Sequence, residues 1–75
     1  MTVKQLKLLR LFHGLTQQAY AREIGVSENT IAKIEAGYLE VSTATRAKVL
    51  RRFDPSDKDF IEFCQRMEES EKLPE

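Results

Sequence analysis

The sequence predicts an all-α fold of five short helices, and three observations lead to it. Glycines at 14, 25 and 37 and prolines at 55 and 74 cut the 75 residues into segments of about 8–12 residues. Within those segments apolar residues recur at helical spacing, and no Asn-Gly or Asp-Gly pair separates alternating apolar runs as a hairpin would require. β-Branched runs are few, and neither an internal repeat nor a low-complexity stretch is present.

The first helix should run from about Val3 to His13. Thr2 and Gln5 have capping-box spacing, Val3, Leu6, Leu9 and Phe12 form one apolar face, and Gly14 ends the element. Thr16 caps the second, about Gln17 to Ile24, which places Tyr20, Ala21 and Ile24 on one side and is terminated by Gly25. Ser27 caps the third, which runs to about Ala36 and is closed by Gly37. Ser42 or Thr43 starts a fourth through Val49, Leu50 and Phe53. Asp54-Pro55 stops it, because a residue before proline is pushed out of helical dihedrals. Ser56 is the expected cap of the fifth, with Asp57 and Asp59 at the positive end of its dipole. Phe60, Ile61, Phe63, Cys64 and Met67 give that helix an apolar stripe, and residues 71–75 read as a frayed tail. His13, near a helix C-terminus, reads as dipole-compensating.

Composition bounds the rest. A chain of this length is roughly half a typical domain and buries only about 60% of the surface its unfolded form exposes, so it is read as one unit. One cysteine and one histidine supply neither a disulfide framework nor a tetrahedral zinc site, so packed side chains must stabilise the fold. No apolar run approaches the roughly 20 residues of a membrane span, and Lys4, Lys7 and Arg10 interrupt the N-terminal leucines, so a cytoplasmic protein is expected. Formal charge is zero but unevenly spread. Residues 1–53 carry nine Lys and Arg against four Glu, whereas residues 54–75 carry three against eight Asp and Glu. The expected organisation is a basic body over 1–53, an acidic helix over 54–70 and a tail over 71–75. No Ser, His and Asp grouping, glycine-rich phosphate loop or ligand cluster is present, so neither catalysis nor a cofactor is expected.

Gln17 to Ala36 carries the functional information. Two helices joined only by Gly25-Val26-Ser27 cannot lie antiparallel and must cross steeply. Ala21 is small where the backbones approach, Gly25 makes the turn, and Tyr20, Ile24, Val26, Ile31 and Ile34 fill the angle. The stretch from Thr16 to Gly37, TQQAYAREIGVSENTIAKIEAG, resembles the helix-turn-helix of the Cro and phage-repressor (XRE-like) family, and the likeness covers about residues 3–53. It implies a compact five-helix lambda-repressor-like domain with the helix-turn-helix at helices two and three, and double-stranded DNA as partner.

On a helical wheel the third helix turns Ile31 and Ile34 inward and Asn29, Ala32, Lys33 and Ala36 outward, with Glu28 and Thr30 at the flanks. Such a small polar face suits the major groove. Asn29 fits adenine, Lys33 guanine, Glu28 the amino group of cytosine and Ala32 a thymine methyl. Ser27 and Thr30, at the start of that helix, are phosphate candidates, and Tyr38 and Thr43 flank the following loop with hydroxyls. The resemblance implies a phosphate contact from Gln17, where its side chain and backbone amide meet the helix dipole. It also implies a partly buried ion pair between Arg10 and Glu35 that orients the third helix. The chain departs from the family in the loop Tyr38-Leu39-Glu40-Val41, where basic residues and a proline are usual.

One such unit reads few base pairs, so a homodimer on an inverted-repeat operator is expected, acting as a repressor. Phe60, Ile61, Phe63, Cys64 and Met67 are the candidate dimer contact, or they cap the monomer core beneath helices one and four. Cys64 is either a small buried hydrophobe or a thiol able to oxidise across a dimer. The rival reading is a protein-interaction module or antitoxin-type adaptor that docks a partner on its C-terminal helix.

Overall fold

Thr2 opens the first helix, α1 (Val3–Phe12), with a complete capping box: its hydroxyl accepts from Gln5 N at 3.1 Å, and Gln5 Oε1 accepts from Thr2 N at 2.9 Å. The same local chemistry starts α2 (Gln17–Ile24), α3 (Glu28–Glu35) and α4 (Thr43–Leu50), where Thr16, Ser27 and Ser42 each accept from the backbone N–H three residues on. A fifth helix, α5, spans Lys58–Lys72. This computed structural model describes residues 1–72, with side chains as far as Ser70, and no strand occurs among the described residues. The helix therefore continues into the segment read as a tail, of which residues 73–75 lie outside the described residues.

The core contains Leu6, Leu8 and Leu9 of α1, Tyr20, Ala21 and Ile24 of α2, Ile31 and Ile34 of α3, Val49 of α4 and Phe60 of α5. α2 and α3 pack closely, with Ala21 buried, while α1 packs against α3 and also against α5. Gly25, at φ 80°, reverses the chain out of α2, and its N–H and that of Val26 both donate to Ala21 O.

Three expectations are corrected, and one residue joins the core that the expected stripe did not include. α1 ends at Phe12, and His13 is its cap, with its ring packed against Phe12 at 5.1 Å and Phe53 at 4.6 Å. Leu8 is buried although it lies off the Val3–Leu6–Leu9–Phe12 stripe, and it lines one groove with Phe60, Ile61 and Cys64 of α5. α4 stops at Leu50, short of Phe53. Arg52 N and Phe53 N both donate to Val49 O, and that tight turn sets the Phe53 ring over Tyr20 at 5.6 Å. α5 is capped by Asp57, whose Oδ1 accepts from Asp59 N and Phe60 N at 2.8 and 3.1 Å. Ser56 is engaged elsewhere, donating from both N and Oγ to Asp54 Oδ1.

Phe60 is also corrected as a dimer contact. It is 3% exposed and meets Phe12 edge-on at 5.5 Å, so it belongs to the monomer core. Phe63, Cys64 and Met67 are half-buried against that core, with Phe63 at 5.4 Å from Phe12, and Ile61 is 44% exposed. The stripe caps α1 with one edge and turns the other outward.

Candidate nucleic-acid interface

The orientation of α3 is set by one buried carboxylate. Glu35 accepts from Arg10 Nε at 2.8 Å and Nη2 at 2.7 Å, a bidentate fork, and from Gln17 Nε2 at 3.3 Å. Arg10 Nη1 donates in addition to Leu15 O at 3.0 Å. One guanidinium therefore ties α1, the connection into α2 and the C-terminal turn of α3 together, while Gln17 adds the first residue of α2. The carboxylate, bonded to the guanidinium at close range, raises the Arg10 pKa above its ordinary value against the opposing effect of burial. Arg10 is cationic at every accessible pH, and its charge is committed inside the fold.

With that anchor in place α3 turns Ile31 and Ile34 fully inward and leaves Glu28, Asn29 and Lys33 exposed, with Ala32 half-exposed between them. These four residues occupy one outward face, in the register a groove-reading helix needs. At its leading end Ser27 Oγ accepts from Thr30 N at 3.1 Å and lies 2.8 Å from Thr30 Oγ1. Of the two hydroxyl protons one is shared between the pair, which leaves the other to donate outward. Gln17 is half-buried, and its bond to Glu35 uses one amide hydrogen. Its second amide hydrogen and the N–H groups of Gln17 and Gln18, ahead of the Ala19 N–H that Thr16 caps, remain to face an anion.

Behind α3 the chain turns through Gly37 at φ 88°, and Tyr38 N donates to Lys33 O at 2.9 Å. The Tyr38 ring is 82% exposed and Leu39 44%, with Glu40 exposed after them. Thr43 is exposed at the first position of α4. Gln17, Ser27, Thr30, Tyr38 and Thr43 thus stand at the ends of the helices around α3.

Sequence reasoning passed over two features. The Gln17–Glu35 bond joins residues 18 apart and has no local signature. Arg22, Lys48, Arg51 and Arg52 line a single cleft with Gly25, and the sequence signal was cations at the ends of two helices that only packing brings together. On α5 the Cys64 thiol pKa is raised, chiefly by burial and then by the Glu68 carboxylate, with Lys4 opposing, so its thiolate is scarce and its reactivity low. Among the described residues no helix is long and apolar enough to cross a membrane, and no three His, Cys, Asp or Glu side chains gather as a metal-ligand set.

Comparison with known proteins places this geometry. The family described as Helix-turn-helix matches residues 6–59. The antitoxin PezA of Streptococcus pneumoniae serotype 4 is 36% identical over 58 residues, which is 77% of this chain and 37% of that protein. The chain thus spans little more than a third of that relative's length. The uncharacterized HTH-type transcriptional regulator MJ0272 of Methanocaldococcus jannaschii is 36% identical over 57 residues, 76% of this chain and 86% of that protein. No solved structure matches. The chain belongs to the helix-turn-helix family of DNA-binding transcription regulators, of the Cro and phage-repressor (XRE) type.

Proposed function

We propose that the chain is a sequence-specific repressor that binds an inverted-repeat operator in double-stranded DNA as a homodimer. The observation that carries this reading is the exposed polar face of α3, clamped to α1 and α2 through Glu35. Glu28, Asn29, Ala32 and Lys33 are the base readers. Asn29 meets adenine and Lys33 guanine, Glu28 accepts from cytosine, and Ala32 covers a thymine methyl, each good polar pair discriminating by about 1–3 kcal/mol. Gln17, Ser27, Thr30, Tyr38 and Thr43 position the protein on the phosphates. A symmetric pair would set its two copies of α3 about one turn of duplex apart, about 34 Å. Phe63, Cys64 and Met67, together with the exposed Ile61, form the proposed dimer contact.

Selection of bound duplexes from a random pool, read by sequencing, tests the reading. An inverted repeat with half-sites one turn apart is expected, and a pool that emerges without sequence enrichment refutes it. A second reading, a protein-binding module of antitoxin type that uses the outer edge of α5, is favoured by the likeness to PezA. It predicts no sequence-dependent retardation of DNA.

A further inference from the structure

The proposed reading face is poor in cations. α3 offers Lys33 against Glu28, the loop behind it adds Glu40, and Arg10 is committed to Glu35. Yet the affinity of a protein for duplex DNA comes largely from phosphates neutralised by lysine and arginine. The missing charge lies beside the turn. Arg22 in the last turn of α2, Lys48 in the last turn of α4, and Arg51 and Arg52 just beyond it line one open cleft of about 230 Å³ with Glu23, Ile24 and Gly25. Four cations against one carboxylate leave a surplus of three positive charges in that cleft. Arg22, Arg51 and Arg52 are exposed, and among the described residues none of them pairs with a carboxylate. Compensation of the helix dipole accounts for single cations at the ends of α2 and α4, but not for four that converge.

Position links the cleft to the groove. Lys48 Nζ reaches Gly25 O at 3.4 Å, a long contact that sets the end of α4 beside the turn. Gly25 precedes Glu28 by three residues, at most about 10 Å of extended chain. If α3 enters a major groove about 12 Å wide by its leading end, as proposed above, a phosphate wall comes within reach of long side chains in the cleft.

We propose that this cleft is a phosphate-binding site for the duplex. Arg22, Lys48, Arg51 and Arg52 hold phosphodiester oxygens that flank the bases facing α3, and they supply the sequence-independent share of the affinity. The inference rests on the DNA reading above. Guanidinium forks match phosphate oxygens bidentately, and the open cleft beside the reading edge favours a continuous strand over an acidic peptide.

The test is the Arg51→Gln/Arg52→Gln double variant, titrated at several salt concentrations against the best duplex from the random pool and against a scrambled duplex of equal length. The slope of log affinity against log salt should fall by about 2, since each phosphate contact contributes about 0.9. Both duplexes should weaken by the same factor, with the preferred sequence unchanged. Lys48→Met and Arg22→Gln should each lower the slope by about 1. The exposed positions of Arg51 and Arg52 keep the double variant folded, which an unchanged melting curve verifies. An unchanged slope in the double variant, while Gln17→Ala still weakens binding, overturns the cleft and leaves the DNA reading standing. A wild-type chain that binds neither duplex overturns both.

Discussion

Replacing Glu35 by alanine tests the keystone of the structure. The substitution removes three side-chain hydrogen bonds and leaves the Arg10 guanidinium, 14% exposed, with only Leu15 O as partner. Breaking a buried pair by deleting one member costs about 3–5 kcal/mol, because the surviving charge is left uncompensated. Arg10 keeps one acceptor and some water, so the lower end applies, about 3 kcal/mol. For a chain of this size stability is on the order of 4–11 kcal/mol, and each kcal/mol moves Tm by about 4–8 °C. Thermal melts followed by circular dichroism should therefore show Glu35→Ala falling by about 12–24 °C. The double variant Arg10→Met/Glu35→Met should recover most of that loss, since an apolar pair of similar volume replaces the ion pair at little net cost. Its DNA affinity should not recover with its stability, because the fork that orients α3 is gone. A Glu35→Ala protein that melts within about 4 °C of wild type would refute the argument.

Four further outcomes follow from the same structure. Lys33→Ala and Asn29→Ala should change which bases are preferred, whereas Gln17→Ala should weaken all duplexes alike; binding-site selections on the three variants compare these profiles. Ile61→Asp and Met67→Asp should yield monomers by light scattering. Ile61 is the cleaner site, because Phe63 also packs on Phe12 and its loss would unfold the monomer as well. Tyr20, buried with its hydroxyl donating to Leu6 O at 3.0 Å, has its pKa raised well above the ordinary phenol value, chiefly by desolvation. The stability this brings is intact below the unfolded-state value of about 10 and is lost as pH rises beyond it, so urea midpoints should fall in alkali. Tyr20→Phe should cost about 1 kcal/mol at neutral pH and flatten that alkaline decline. The Asp54 pKa is lowered by its bonds from Ser56, so its contribution is present above the ordinary carboxylate range and lost as pH falls through the lower folded-state value. Asp54→Asn should remove that part of the acid dependence.

What the chain reveals of itself in one dimension is governed by how local the chemistry is. The starts of α1 to α4 were legible because each cap is a hydroxyl and an N–H three residues apart, and nothing distant competes for them. The start of α5 was misread where two neighbours compete. Asp54 captures both donors of Ser56, so the next acidic residue, Asp57, takes the cap. Leu8 escaped, and Phe60 stayed open between dimer contact and core cap, because their burial depends on how α5 lies against α1, a tertiary choice that a stripe of apolar residues permits without dictating. The same limit separates the outward face of α3, which helical periodicity alone assigns, from the cleft of Arg22, Lys48, Arg51 and Arg52, assembled from two helices.

Neutral overall charge and a polyanionic ligand are compatible here because of where the helices sit. α1 packs against both α3 and α5, so the acidic α5 is offset from the reading helix by packed helices whose axes lie about 8–10 Å apart. That separation reaches the screening length of about 8 Å at physiological salt, beyond which exposed charges are largely hidden from one another. The eight acidic residues of 54–75, against three basic ones, therefore bring the sum of charges to zero without cancelling the field at α3. They also make the α5 side unfavourable for phosphate contact, which on the proposed reading favours an approach of the duplex past the turn and onto α3. A chain with the same cations and a neutral α5 would bind duplex nearly as tightly at that face, but it would also hold DNA in unproductive orientations.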